Sequence, residues 1–269
     1  MACTDVSISP QILHGLMGRG TTPHVIDVRR APRFDAADTM IAGALRRLPE
    51  QAADWAASFA GQAVVVYCVF GHEVSQQAAA LLRTHGIDAR FLDGGIDAWE
   101  KAGYPVVNKS AALAAQAAGT WITRERPKID RLACPWLVSR FVDPAARFLY
   151  RPTPDVLALA ARENAIAYDI PGGRFEHDGE LCTFDTMLRH FGLHDPALDK
   201  LATIVRGADT ARLDLAPESA GLLAISLGLG RLIADDEALL ARGLDVYDAL
   251  YAWARAPGEV HNWVPAPAS

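Results

Sequence analysis

This 269-residue chain has no C-x-x-C pair, no long uninterrupted apolar run and no excess of positive charge. Each absence excludes something. The four cysteines, Cys3, Cys68, Cys134 and Cys182, are scattered, which suits free thiols in a reducing cytoplasm better than a disulfide framework. No segment approaches the roughly 18 apolar residues of a membrane span. The opening Met1-Ala-Cys-Thr-Asp-Val lacks the charged and apolar regions of a signal peptide, so a cytoplasmic protein with no membrane partner is expected. A net charge of −6 argues against nucleic acid as an obligatory partner, since phosphate binding relies on a positive surface. No short-period repeat is evident. What is present is an apolar fraction of 51%, enough for the core of one large domain or two ordinary ones.

The most informative stretch is Val64-Val-Val-Tyr-Cys68-Val-Phe-Gly-His-Glu-Val-Ser75. A β-branched run ends at a cysteine, a short Gly-containing turn follows, and Gln76 to Arg83 reads as a helix. A thiol at such a turn sits beside helix-end N–H groups, which stabilise a negative charge and favour the thiolate. Around it, strand and helix signals alternate. His24–Val28, Ala63–Tyr67 and Ala89–Leu92 read as strands, and Ile96–Ala102 as a short helix stopped by Gly103 and Pro105. That alternation predicts an α/β domain with a parallel sheet flanked by helices over residues 1–108. An alanine-rich segment, 109–119, reads as a linker, in helical form or not, with an alanine-rich packing helix as the alternative. Residues 120–269 read as a mainly helical α+β domain, with strands near Trp121 and Arg147–Tyr150. Helices are expected over 129–143, 155–164, 184–191, 196–206, 219–233 and 236–255.

Four pieces in order resemble the rhodanese-like family: Val25-Ile-Asp-Val-Arg29, Ile41-Ala-Gly-Ala44, Tyr67-Cys68, and Leu92-Asp-Gly-Gly-Ile-Asp-Ala-Trp99 followed by Gly103-Tyr-Pro105. The resemblance implies a sulfurtransferase in which a thiolate takes sulfane sulfur from a small donor such as thiosulfate, becomes a persulfide, and passes the sulfur to a thiol acceptor. Cys68 is then the nucleophile. Gly71, His72 and Glu73 are candidate loop residues, with His72 as a proton shuttle and Glu73 as a second polar group. Arg29 is expected to pair structurally near the loop. The pattern departs from active relatives in one respect: no Arg or Lys lies between Cys68 and Arg83. The seven-residue loop Cys68–Val74 is similar in length to those of dual-specificity phosphatases and arsenate reductases. Those enzymes end it on arginine where this chain has Val74, so phosphoryl transfer is disfavoured.

A second resemblance begins at Trp121-Ile-Thr-Arg-Glu-Arg-Pro-Lys-Ile-Asp-Arg-Leu-Ala-Cys-Pro-Trp136. It continues through Phe175-Glu-His-Asp-Gly-Glu-Leu-Cys-Thr-Phe184, Ile204-Val-Arg-Gly-Ala-Asp209 and His261-Asn-Trp263. These look like the ChrB C-terminal domain, which implies association with chromate resistance. Between Thr120 and Arg151, seven Lys or Arg residues face three acids, a basic island in an acidic chain. Arg131 and Arg140, nine residues apart, point to opposite helix faces at about 100° per residue. Arg124, Lys128 and Arg131 are the candidates for binding chromate or another oxyanion near the helix start, with surface charges that solvate the helix and pair with Asp130 and Asp143 as the plain alternative. Glu176, His177 and Asp209 offer N and O ligands for a divalent metal, with a capped turn as the plain alternative. His190 and His194 have i,i+4 spacing, but Gly192 interrupts the helix between them. Cys182 is expected to pack before a cap at Thr183, and Cys134 is a candidate second thiol. Besides the sulfurtransferase, two other functions are open: a non-catalytic chromate or redox sensor, and a thiol-dependent oxyanion reductase.

Overall fold

The computed structural model describes residues 6–256 of the chain; His261–Trp263 lie outside the described residues. The first half runs β1 (Ser7–Ile8), α1 (Pro10–Leu16), β2 (His24–Asp27), α2 (Ala31–Asp35), β3 (Thr39–Ile41), β4 (Leu45–Arg46), α3 (Ala52–Ala56), β5 (Ala63–Tyr67), α4 (Glu73–Thr84), β6 (Asp88–Leu92), α5 (Gly95–Lys101) and β7 (Val106–Asn108). Five strands form one parallel sheet in the order β1-β6-β5-β2-β4, and β3 pairs antiparallel with β7. The middle strand, β5, is buried on both faces, as an all-parallel sheet requires. Its side chains alternate. Val64 and Val66 meet Trp55, Ala78, Ala79 and Leu82 on the α3/α4 side. Val65 and Tyr67 face the core that holds Leu92 and Trp99. From β5 the chain passes through α4 to β6 on one side, whereas from β2 it passes through α2 to β4 on the other. The carboxyl ends of β2 and β5 are therefore where the connections diverge, the position at which open α/β sheets leave a crevice. Cys68 is the first residue after β5.

The segment expected to be a linker is a helix, α6 (Lys109–Ala118), capped by the Asn108 side chain and closed by Gly119 at φ 62°. Its Ala112 and Ala115 are buried, and Gln116 Nε2 donates to the carbonyls of Ala44 (2.9 Å) and Val142 (2.8 Å), tying the two halves together. The second half follows as β8 (Thr120–Arg124), α7 (Asp130–Phe141), β9 (Arg147–Arg151), α8 (Val156–Glu163), β10 (Ile166–Ala167), α9 (Thr183–Phe191), α10 (Pro196–Asp209), α11 (Glu218–Leu232) and α12 (Asp236–Arg255). The three strands pair in parallel in the order β10-β8-β9. One core runs through both halves, since Val65 and Trp99 share it with Trp121, Trp136 and Phe184.

Pro135 lies inside α7, where a missing N–H frees the carbonyl four residues back. That carbonyl, of Arg131, lies 3.5 Å from the Tyr168 hydroxyl. Arg140 points away from Arg131, as the nine-residue spacing predicts. It forks onto Asp248 at 2.9 and 3.1 Å, and Asp248 also accepts from Gly20 N in the first half. Gly192, left-handed at φ 62°, ends α9 between His190 and His194. The cap of α9 is Cys182 rather than Thr183: Asp185 Oδ2 accepts from Cys182 N at 3.1 Å. Among the described residues, no helix is long and apolar enough to cross a membrane.

Candidate functional site

The Cys68 loop is held by its backbone against the turn that follows β6. Ile96 N donates to the Cys68 carbonyl and Asp97 N to the Val69 carbonyl, both at 3.0 Å. The approach is so close that only glycine fits at two positions. Gly95 has φ 60°, and a Cβ there would lie 2.4 Å from Cys68 O and 2.5 Å from Val69 O. Gly71 has φ 69°, and its Cβ would lie 2.5 Å from Leu92 O. These contacts explain the glycines of both motifs: each side of the loop–turn junction lacks a side chain so that backbone can meet backbone.

Beneath the loop lies a buried polar network. Arg29 forks onto Asp27, with its closest contact at 2.6 Å, and donates to Thr39 O at 2.9 Å. The Tyr67 hydroxyl donates to Asp27 Oδ2 at 2.8 Å and accepts from Ile41 N. Arg29 is only 3% exposed, so its charge is spent on Asp27 and it fixes the end of β2 instead of facing a substrate.

The Cys68 thiol is buried, and its Sγ lies 3.2 Å from the hydroxyl of Ser75 in the first turn of α4. Ser75 also lies 3.1 Å from the His72 carbonyl. One hydroxyl proton serves either partner: given to His72 O, it leaves Oγ to accept from the thiol; given to Sγ, it stabilises the thiolate. Ser75 is the polar partner of the thiol, and sequence reasoning missed it. The available signal was its place in the first turn of the helix behind the cysteine.

The other loop candidates sit differently. His72 is the exposed N-cap residue of α4 and makes no side-chain cap bond; its ring lies 6.0 Å from that of Phe70, which is half-exposed. Glu73 is exposed and accepts from Gln77 Nε2 at 3.0 Å, one turn along the helix. Val74 packs against the α4 side of the sheet core. The first-turn amides of α4 thus have no side-chain cap and form the anion-favouring end of a twelve-residue helix beside the thiol.

A second polar centre lies in the other half, between the start of α7, the segment after β10, the 171–182 loop and the end of α10. His177 Nε2 lies 3.2 Å from Asp209 Oδ2, 3.5 Å from Asp169 Oδ1 and 3.7 Å from Asp130 Oδ2. Asp130 is fully buried, and its carboxylate accepts from Thr183 N (2.6 Å) and Phe184 N (3.0 Å) at the start of α9. Asp169, at φ 50°, accepts from Arg124 (3.0 Å) and lies 3.3 Å from Arg131 Nε.

The electrostatics follow from burial and crowding. Burial, then the charges of Asp169 and Asp209, push the Asp130 carboxyl well above its ordinary range. Burial and Asp169 also raise Asp209. Burial acts upward on Asp169 too, but His177, Arg124 and Arg131 outweigh it and hold that carboxyl low. The contact with Asp169 lifts His177 to about 9 against the opposing effect of burial, with Asp130 and Asp209 adding to the rise. Cys134 lies 3.3 Å from Asp130 Oδ1, and burial with that neighbour pushes its thiol up, the reverse of an activated thiol.

Two expectations are corrected here. Arg124 and Arg131 do converge, but on Asp169, so their charge is already partnered; Lys128 is exposed and stands outside that pair. Of the expected metal ligands, His177 and Asp209 come together, whereas the Glu176 carboxylate accepts from Gly172 N at 2.9 Å across the turn. Asp130 takes its place: one ligand atom from each of Asp130, His177 and Asp209 lies within 4.8 Å of the others. In the sequence Asp130 reads as a counter-ion within the basic island, and Asp169 carries no signal of its own.

Comparison with known proteins divides the chain in the same way. The rhodanese-like domain family model matches residues 9–102, and that of the ChrB C-terminal domain matches residues 121–254. Protein ChrB of Cupriavidus metallidurans is 34% identical over 142 residues, covering 51% of this chain; the chain spans only 41% of that relative's length. Among solved structures, a rhodanese-related protein from Thermoplasma volcanium is 26% identical, covering 38% of this chain and 96% of that one at a TM-score of 0.33. A thiosulfate sulfurtransferase from Pseudomonas aeruginosa is 27% identical, covering 37% of this chain and 19% of that one at a TM-score of 0.33.

Proposed function

We propose, for a chain that joins a rhodanese-like domain (residues 9–102) to a ChrB C-terminal domain (residues 121–254), that Cys68 carries sulfane sulfur as a persulfide. The observation that supports this best is the placement of its thiol: Sγ is 3.2 Å from Ser75 Oγ in the first turn of α4, where the helix-end amides lack a side-chain cap. The Cys68 thiolate attacks the outer sulfur of thiosulfate. A new S–S bond forms, the S–S bond of thiosulfate breaks, and sulfite leaves with the electron pair. The terminal sulfur of the persulfide then carries the negative charge, which the α4 amides and the Ser75 hydroxyl stabilise. An acceptor thiolate attacks that terminal sulfur, takes it, and returns Cys68 as thiolate.

With Val74 where an arginine ends the loop in many relatives, the fixed charge that would hold a dianionic donor is missing, so slow turnover with thiosulfate is expected. Phosphoryl transfer fits poorly for the same reason. A reductase cycle would need a resolving thiol. Among the described residues the other cysteines are Cys134 and Cys182, both fully buried in the other half, and burial pushes both thiols up. The match to the ChrB C-terminal domain supports reading this sulfur chemistry in the setting of chromate resistance.

Mass spectrometry of the full chain after incubation with thiosulfate tests the reading. The expected result is the mass of one added sulfur on Cys68, released by a small thiol and absent from Cys68→Ser. No adduct from thiosulfate or an inorganic polysulfide, or an adduct that persists in Cys68→Ser, refutes it.

A further inference from the structure

The Asp130, Asp169, Asp209 and His177 cluster uses residues that the sulfur chemistry leaves idle. The plain reading is a closed ion network: three carboxylates against Arg124, Arg131 and a protonated imidazole, charge for charge. Its geometry does not suit that reading. An imidazolium has one proton on Nε2 and can direct it at one acceptor, yet three carboxylates from three separate elements crowd that single atom at 3.2, 3.5 and 3.7 Å. Charge-assisted N–H···O bonds close to about 2.7–2.9 Å, and none of the three does.

Point-charge coordination suits the spacing better. Ligand atoms about 2.1 Å from a metal ion stand about 3 Å apart when adjacent at right angles, and one atom from each of Asp130, His177 and Asp209 lies within 4.8 Å of the others, so a contraction of these three brings them onto one ion. The position of Asp209 points independently to a cation ligand. It is the last residue of α10, where the helix dipole is negative and a carboxylate is unfavourable, and it is four-fifths buried beside two other carboxylates. The His177 side chain is 41% exposed, which leaves a face open for ion entry and for water ligands.

We propose that Asp130, Asp209 and His177 bind one divalent first-row cation of the Mn2+ or Fe2+ type, with Asp169 beside them as a neighbouring charge 3.5 Å from His177 Nε2. Two carboxylate donors with one imidazole suit such ions, and soft ions would favour thiolates instead. Arg124 and Arg131 hold Asp169 beside the coordination shell. Thr183 N and Phe184 N orient Asp130 from outside it, at the start of α9.

Mn2+ is the probe, because the thiol of Cys68 competes poorly for it. The full chain, stripped with a chelator, should take up one Mn2+ per chain by calorimetry and by loss of the free-ion electron paramagnetic resonance signal. His177→Ala and Asp209→Asn should each weaken binding about tenfold or more, while Glu176→Gln leaves it unchanged. Stability without metal separates the two readings and guards against a folding artefact. Asp209→Asn removes a like-charge repulsion, so the stripped variant should unfold at the wild-type temperature or above it; a closed ion network predicts a lower one. No uptake at about 1 mM Mn2+, affinity retained in both ligand variants, or an equal loss in Glu176→Gln overturns the assignment.

Discussion

Replacing Gly95 by alanine tests whether the grip of the β6–α5 turn on the Cys68 loop holds the thiol in place. Two costs add. The first is conformational: an L-residue in the left-handed region costs roughly 1–2 kcal/mol. The second is steric. The new Cβ would lie 2.4 Å from Cys68 O, 2.5 Å from Val69 O and 2.6 Å from Val69 C, about 1 Å short of an ordinary contact. Every atom it meets is backbone, so no side chain can rotate away. The loop and turn must separate, and the bonds Ile96 N to Cys68 O and Asp97 N to Val69 O are lost at about 1 kcal/mol each. The total is roughly 3–4 kcal/mol. Gly61 isolates the first cost, since its φ is 74° and nothing lies within 4 Å of the position a Cβ would take. Gly61→Ala should therefore lose about 1 kcal/mol or less, partly offset by a stiffer unfolded chain. Urea unfolding of both variants, read as midpoint at constant slope, should show Gly95→Ala at least about 2 kcal/mol worse. Gly95→Ala should also lose sulfur loading of Cys68. Equal stabilities for the two variants, or full loading in Gly95→Ala, would refute the reasoning.

Two other predictions follow from the same reading of local partners. Ser75→Ala removes the hydroxyl 3.2 Å from Sγ, and one hydrogen bond to the thiolate corresponds to about a fivefold fall in iodoacetamide alkylation rate at fixed pH; an equal or faster rate denies Ser75 that role. Asp195, in the second half, caps α10 by accepting from Ala197 N (2.9 Å) and Leu198 N (3.1 Å), with His14 Nε2 at 3.5 Å. Burial acts to raise its carboxyl, but His14 and the two amides outweigh it and hold the carboxyl below its ordinary value. Its folded pKa being the lower one, its contribution is present above the unfolded value of about 3.9 and is lost as pH falls through the folded one. Asp195→Ala should cost about 1–2 kcal/mol at pH 7 and progressively less as pH falls below the unfolded value; chemical unfolding across that acid range checks this, and a gap that stays constant contradicts it.

What could be read from the sequence depended on how far the information travels along the chain. β5 is legible because four β-branched and aromatic residues in a row admit few alternatives, and Cys68 because the turn and helix that frame it are its immediate neighbours. The short strands β1, β3, β4, β7 and β10 have two or three residues each, too few to carry a period, so they escape notice although the sheet order depends on them. At the loop, the sequence does not single out Ser75, whose hydroxyl lies 3.2 Å from the Cys68 thiol. His72 and Glu73 carry the more reactive side chains, but the first turn of α4 aims position 75 at the thiol and turns 73 toward Gln77.

The cluster in the second half shows the same rule at longer range. Its members come from residues 130, 169, 177 and 209, and no local pattern relates them. His177 and Asp209 stand out because each is a ligand-type residue within its motif, whereas Asp130 sits among the cations of the basic island and nothing local singles out Asp169. Glu176 does not join the cluster, because its carboxylate accepts from Gly172 N across the turn. The basic island misled in a related way. Sequence counts seven cations against three acids between residues 120 and 151, but the charge that partners Arg124 and Arg131 is Asp169, supplied from beyond that window by the parallel pairing of β8 with β10. A local excess of charge is therefore evidence of a binding site only after the sheet has brought in its counter-charges. Here it brings in enough carboxylate to reverse the sign of the expected ligand, from an oxyanion to a cation.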